Sequence, residues 1–598
     1  MSSAATAAIM AGALCLLLAA GAVGQDVTIA DKGAARAVIV VAKDAPPPVR
    51  HAAAELAAFL KQVTGAAFDV AHQAGTDRPR LLVGPGAAKS ADRGFSTQRL
   101  GAEGIVLRTV GKDVILAGGA PRGTLYAVYT FLEDVVGCRW WSSTASTIPG
   151  TTTLKVARLN VRYVPPLAYR EPFWFVAFDG DWAVRNKCNG HAARLDARRG
   201  GRHVYEGFVH TFYSLIPPAK YFKDHPEWFG EVNGKRAHRH RQLCLANDAM
   251  RAELVKNLKA RLSKNPSATI ASVSQNDWHG YCQCKRCAAI DKQAGSPSGS
   301  LIRFVNAVAA EVEKDFPRVA ISTLAYQYTR RPPKGVRPRD NVIVRLCSIE
   351  CSFSRPLSHP ANRLFARDLL AWSKICKRLY VWDYTTNFRH HVLPHPNLRV
   401  LGPNVKFFVA HNVKGVFEQG AYGTGGAEMA ELRAWVLAKL LWKPDLNAQR
   451  LIDEFLAGYY GPAGAHVAAY LKVIHDAVEA SRDPLGCFSA HTAKFLSFET
   501  LSAGWAHLAK AEAAVKDKRD LLQRVRVAQL PAMYAFMMRW KEMRARAKAL
   551  KAPWPMAESI DEAYKRFAAV AEAAKIARLN EWQKGFGPLK QAVARAKK

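Results

Sequence analysis

Between about residue 166 and residue 425, short apolar runs recur, and each stops abruptly at polar, aromatic or carboxylate residues. The runs are Phe173–Phe178, Gly207–Tyr213, Ala268–Asp277, Val319–Tyr328, Val342–Glu350, Leu379–Asp383 and Val413–Glu418. Longer segments of helical period lie between some of them: Ala249–Leu262, Ser300–Asp315 and Leu364–Ile375. Seven or eight strand–helix units in about 260 residues predict a TIM-like (β/α)8 barrel over 160–425, a fold whose reactive groups stand at the C-terminal ends of its strands.

The pattern differs on either side. Over 28–155 it predicts a small α/β domain, with a strand at Ala37–Val41, a helix at Ala52–Thr64, a buried strand at Leu81–Gly84, a hairpin around Gly111-Lys112 and a helix at Thr124–Val135 ending at Gly137. Over 426–598 the period is helical, with amphipathic stretches at Glu428–Leu441, Ala448–Gly458, Val467–Ala480 and Leu501–Val515. Residues 3–24 are almost wholly apolar or small and lead to the first charge at Asp26, which predicts a signal peptide over 1–25 and a secreted or periplasmic protein. No later stretch is long and apolar enough to span a membrane.

Charge changes the picture of partners. The chain has 85 Lys and Arg against 49 Asp and Glu, a formal net charge of +36, and residues 1–25 carry none of it. Such a charge attracts anions; it reads first as a basic solvated surface, with an anionic glycan or envelope component as the functional alternative, and a glycan substrate is the expected partner. There is no helix-turn-helix or finger spacing to specify nucleic acid. No His-Glu-x-x-His or Gly-x-Ser-x-Gly arrangement occurs, which disfavours a zincin or an α/β-hydrolase. The sequence does not define an oligomeric state.

The densest chemistry lies in Ser274-Gln275-Asn276-Asp277-Trp278-His279-Gly280-Tyr281, where a strand runs into an amide, a carboxylate and aromatic rings. Sugar sites need apolar platforms beside planar polar groups, and a glycosidase needs a proton donor opposed by a nucleophile or base. Asp277 is the expected acid, with Asn276 beside it, and Glu418 or Asp383 is expected to assist across the site. Glu350 ends another apolar run. Arg170, Trp174, Asp179, His210, Tyr213, Trp278, Tyr281, Tyr326, Trp382 and Tyr384 complete the expected substrate contacts. Catalysis is expected to need no cofactor. Cys282, Cys284 and Cys287 form C-x-C-x-x-C with Cys244 upstream, a set that suits structural zinc or disulfides bracing the loop after Asp277.

Three stretches carry a resemblance: Ser274–Asp277 running into Tyr281–Cys287, Trp382-Asp383-Tyr384-Thr385-Thr386-Asn387-Phe388, and Leu432–Trp442. Over roughly 160–460 the chain resembles the family long labelled domain of unknown function 4838, grouped with bacterial endo-β-N-acetylglucosaminidases in glycoside hydrolase family 163. Residues 28–155 resemble the small domain that precedes the barrel in β-hexosaminidases and α-glucuronidases. The resemblance implies cleavage of a β-linked N-acetylglucosamine glycan, with the substrate's own 2-acetamido oxygen attacking C1. Asn276-Asp277 stands where related barrels have paired carboxylates, and Asn276 would orient the acetamido group, although an amide stabilises a developing cation less than a carboxylate does. Two other readings remain open. One is an α-glucuronidase-like exo-hydrolase, in which Arg170 or Arg345 clamps a sugar carboxylate. The other is a non-catalytic glycan-binding or envelope scaffold protein.

Overall fold

The computed structural model describes residues 26–598. The signal peptide expected over 1–25 lies outside them. The N-terminal domain has a six-stranded mixed sheet built on Val38–Val41, Arg80–Val83 and the hairpin Ile105–Val110/Asp113–Gly118, with short edge strands at Val70–Ala71 and Asn160–Tyr163. The first helix covers Pro47–Thr64 and buries Leu56, Phe59, Leu60 and Val63 against the sheet. It starts five residues earlier than its apolar period because Pro47 and Pro48 occupy its first turn, where no amide hydrogen is needed. The second helix, Gly123–Thr130, runs on through a π-helical turn at Phe131–Val136 and stops at Gly137.

Seven parallel strands form the central sheet: Tyr169–Phe173, Tyr205–Glu206, Ile270–Ser272, Ala320–Ala325, Val342–Cys347, Leu379–Tyr384 and Val413–Gln419. The first strand pairs with the seventh, the following neighbours run in descending order, and the second strand ends the sheet. The sheet therefore curls into a barrel, and its two edge strands meet through the Tyr169 and Tyr205 rings, 6.4 Å apart. The inward rings leave no room for a side chain at Gly415, where a Cβ would lie 2.7 Å from the Tyr380 ring. The second strand is only two residues long and ends before the apolar run Gly207–Tyr213 begins. Gly207 and His210 both take positive φ, at 63° and 54°, and this ends the extended backbone.

The helical region begins with Ala430–Trp442, which is buried on every side against the barrel. It continues through Ala448–Tyr460, Gly464–Ser481, Phe498–Ala513, Arg519–Met538, Trp540–Ala549 and Ile560–Ala573. Among the described residues no helix is long and apolar enough to cross a membrane.

Two buried ionic clusters fix how these parts sit together. Glu103 of the N-terminal domain accepts hydrogen bonds from Arg122 (2.5 Å), from Arg170 at the first barrel strand (2.6 Å) and from Asn189 (2.7 Å). Burial alone would raise the Glu103 carboxyl, but Arg170 and Arg122 override it and hold it down to about 2. Glu133 pairs with Lys187 of the barrel (2.5 Å) and with Lys439 of the buried helix. Burial opposes its charge too, and the two ammonium groups again win.

Candidate active site

A cavity of about 390 Å³ opens at the C-terminal ends of the barrel strands. Its walls are Val209, His210, Leu324, Cys347, Ile349, Tyr384 and Phe388, with Trp382, Gln419 and Tyr422 on one side and Asp277 and Tyr326 on another. Asp277 follows the third strand and is exposed to the cavity, and the Tyr326 hydroxyl donates to its Oδ1 at 3.1 Å. Burial first, and the Asp277 charge next, push the Tyr326 phenol far up, so it stays a donor.

The second carboxyl group of the cavity is Glu581, from the segment that follows the helix Ile560–Ala573. Its Oε1 accepts from the Tyr422 hydroxyl at 3.1 Å and lies 3.4 Å from Gln419 Nε2. Gln419 is itself held by the Trp382 indole, which donates to its Oε1 at 2.8 Å. Burial raises the Glu581 carboxyl above the usual range and the Asp277 charge adds to this, against the Tyr422 hydrogen bond and Arg578, which pull it down. Backbone bonds stitch this segment to the barrel loops: Glu581 N–H to Phe388 O at 2.9 Å, and His391 N–H to Leu579 O at 2.8 Å. Trp582 and Phe488, 63% and 39% exposed, stack at 6.1 Å on the cavity rim. Another cavity of about 400 Å³, among Leu398, Ile452, Leu471 and His475, has no carboxyl group in its wall.

The family described as "Domain of unknown function (DUF4838)" matches residues 140–472, more than half of the chain. The protein belongs to the DUF4838 family. Residues 25–131 match the "Glycosyl hydrolase family 67 N-terminus". No curated protein matches the sequence. Among solved structures, the family GH115 4-O-methyl-alpha-glucuronidase BtGH115A, with specificity for decorated arabinogalactans, is similar at a TM-score of 0.62 and 13% identity, over 95% of this chain and 80% of that one. A mutant Streptomyces plicatus beta-hexosaminidase in complex with GlcNAc gives a TM-score of 0.44 at 14% identity, over 73% of this chain and 91% of that one. The DUF4838 chain thus has a carbohydrate-active hydrolase fold, related to several glycoside hydrolase families.

The DUF4838 cavity gathers Asp277, His210, Tyr326, Trp382 and Tyr384 of the residues singled out in the sequence. It excludes the rest. Trp382 and Tyr384 point inward, so by strand alternation Asp383 between them points outward, and Glu418, its register partner between the inward Phe417 and Gln419, does the same. The two carboxyl groups are buried together behind the barrel wall. Burial pushes Asp383 up to about 6, against the pull of the Ser348 hydroxyl that donates to it, and drives Glu418 far above the usual range, with the Asp383 charge adding.

Asn276 is 3% exposed and does not line the cavity. Its side chain takes the Tyr213 N–H at 3.3 Å and gives a hydrogen to Arg241 O at 3.4 Å. The Trp278 indole also donates to Arg241 O at 2.8 Å, Tyr213 reaches the same carbonyl at 2.7 Å, and Tyr281 stacks on Tyr328 at 4.9 Å, so these rings build the loop rather than the cavity wall. Arg170 is spent on Glu103, Glu350 pairs with Arg330 at 3.0 Å, and Asp179 caps a short helix through Trp182 N–H at 2.8 Å. Trp174 is buried, with its indole on Thr385 at 3.1 Å. Arg345 is enclosed in the barrel interior, with Phe208, Tyr205 and Tyr169 among the rings within 5.5 Å of its guanidinium. Glu581 was missed because no strand precedes it. Asn580-Glu581-Trp582-Gln583 nevertheless has the same mixture of amide, carboxylate and indole that marked Asp277, and that mixture was the available signal.

Cys244, Cys282, Cys284 and Cys287 are buried together as a cluster able to hold a metal ion.

Proposed function

We propose that this DUF4838 protein is an exported, exo-acting glycoside hydrolase of α-glucuronidase-like type, with Glu581 as general acid and Asp277 as the opposing carboxylate. The reading rests on one observation: Asp277 and Glu581 are the two carboxyl groups of the cavity at the barrel mouth. Glycoside cleavage needs one carboxyl group that keeps its proton until the leaving oxygen takes it, and another that stays an acceptor. Glu581, raised by burial and by the Asp277 charge, suits the first role. Asp277, open to the cavity and held by Tyr326, suits the second, activating water or attacking C1 while Glu581 protonates the departing oxygen. Trp382, Tyr384 and Trp582 offer ring faces for a sugar. A cavity of this size takes a terminal residue rather than the middle of a long chain, and the net charge of +36 favours a glycan bearing uronic acid. The fold likeness to an α-glucuronidase and the family 67 type N-terminal domain agree with this choice.

A second reading, a β-N-acetylglucosaminidase like those of family 163, has one observation in its favour. The Asp277 carboxylate and Tyr326 hydroxyl together could hold the N–H and oxygen of a 2-acetamido group. Asn276, its side chain already engaged, is not free to do so. The test is hydrolysis of aryl α-glucuronides, uronic-acid-capped oligosaccharides, aryl β-N-acetylglucosaminides and N-glycans by wild type, Glu581→Gln and Asp277→Asn. The first reading expects uronic acid release, with each variant slower by about 10²–10⁴-fold. Release from 2-acetamido substrates alone gives the second. Glycan binding with no hydrolysis gives a scaffold.

A further inference from the structure

The sulfurs of Cys244, Cys282, Cys284 and Cys287 lie within 4.8 Å of one another, and all four residues are buried. Cys244 is 3.7 Å from Cys284 and 3.9 Å from Cys287. Four thiolates placed tetrahedrally about 2.3 Å from a zinc ion stand about 3.8 Å apart. A disulfide would bring one pair to about 2.05 Å, and none of these four cysteines is bridged. The surroundings suit a cluster of net negative charge. The Glu231 N–H donates to Cys282 Sγ at 3.4 Å, and Cys284 stands at the N-cap position of the helix Lys285–Ala294, at the positive end of its dipole. Tetrahedral all-thiolate ligation without redox chemistry favours Zn²⁺ among common metals.

We propose that these four cysteines hold one zinc ion and that the metal keeps the Asp277 loop in place. The ion would join two segments, one carrying Cys244 and the other the cysteines just after Asp277. Gln242, two residues before Cys244, spans the same two segments at Asp277 itself. Its Nε2 donates to Asn276 O at 3.0 Å and Trp278 O at 2.6 Å, and its Oε1 accepts the Asn276 N–H at 2.9 Å. The backbone on both sides of Asp277 is thus gripped by a residue two positions from one of the four cysteines. Four protein ligands leave no open coordination position, so the metal takes no part in chemistry. The metal site does not depend on the glycosidase reading; only the importance of holding Asp277 rests on it, and the readouts below use no activity.

The test is elemental analysis of the untagged full-length protein, replacement of its metal by cobalt, and hydrogen exchange over 274–281 before and after chelation. One zinc per chain is expected, with intense thiolate-to-cobalt charge-transfer bands and tetrahedral d–d bands after replacement. Exchange over 274–281 should rise at least tenfold on chelation. Gln242→Leu should keep the zinc and show the same rise, which separates loop bracing from general unfolding. A metal-free protein whose four cysteines react as free thiols, or whose peptides map as disulfides, overturns the site. Zinc removal with unchanged exchange over 274–281 overturns the bracing.

Discussion

Asp277 and Glu581 line one cavity, the first in the loop after the third barrel strand and the second bonded to Tyr422 just beyond the seventh. The charge of the first helps to keep the proton on the second. A barrel with its carboxyl groups only on strand ends would need no helical appendage to complete its site. Here the C-terminal segment brings one of the pair, so the two carboxyl groups face one cavity only when that segment is packed against the barrel.

That coupling gives a pH prediction. If Glu581 must be protonated, kcat/KM falls as pH rises through its raised pKa, so the basic limb lies above the ordinary Glu value of about 4.3. The Tyr422 hydroxyl stabilises the Glu581 carboxylate, so Tyr422→Phe should move that limb to higher pH. A pH–rate profile of the two proteins checks this, and a shift to lower pH would remove Glu581 from the acid's role.

Trp582 and Phe488 form an exposed stacked pair on the rim, where the leaving part of a glycan would rest. Trp582→Ala should raise KM for an oligosaccharide roughly two- to tenfold and change KM for a small aryl glycoside little. Equal losses on both substrates would place the ring's contribution inside the cavity.

Glu103 predicts a stability effect remote from the site. Its folded pKa is depressed to about 2, so its contribution is fully present above about pH 4.3 and is lost as pH falls through about 2. Glu103→Gln leaves Arg170 and Arg122 buried without their partner and should cost about 3–5 kcal/mol at pH 7. Denaturant melts at pH 7 and pH 3 should show the wild-type advantage shrinking at the lower pH.

Asp383 has the opposite sign. Folding raises its pKa to about 6, so the folded state holds a proton that the unfolded chain has already released, and stability falls as pH climbs from about 4 through about 6. Asp383→Asn keeps an acceptor for Ser348 and removes this loss. It should gain on the order of 2 kcal/mol at pH 8 over wild type and little at pH 4, measured by thermal or denaturant melts.

Hydrophobic pattern alone located five of the seven barrel strands, whereas the runs Phe173–Phe178 and Gly207–Tyr213 begin where the first two strands, Tyr169–Phe173 and Tyr205–Glu206, end. Apolar runs such as Val342–Glu350 and Leu379–Asp383 became central strands because a sheet of six parallel pairings needs fully buried segments, and the helical stretches formed helices, although Glu428–Leu441, read as amphipathic, is buried on every side. The sequence also marked Asp277 and the four cysteines, since local composition announces a strand end and ligand spacing. Which carboxyl groups meet depends on packing between segments far apart in the chain. Strand alternation turned Asp383 and Glu418 outward by one residue's register, a shift that composition cannot see. Long-range packing brought in Glu581 and consumed Asn276 and Arg170 in hydrogen bonds, because a buried polar group takes whatever partner the fold puts within reach.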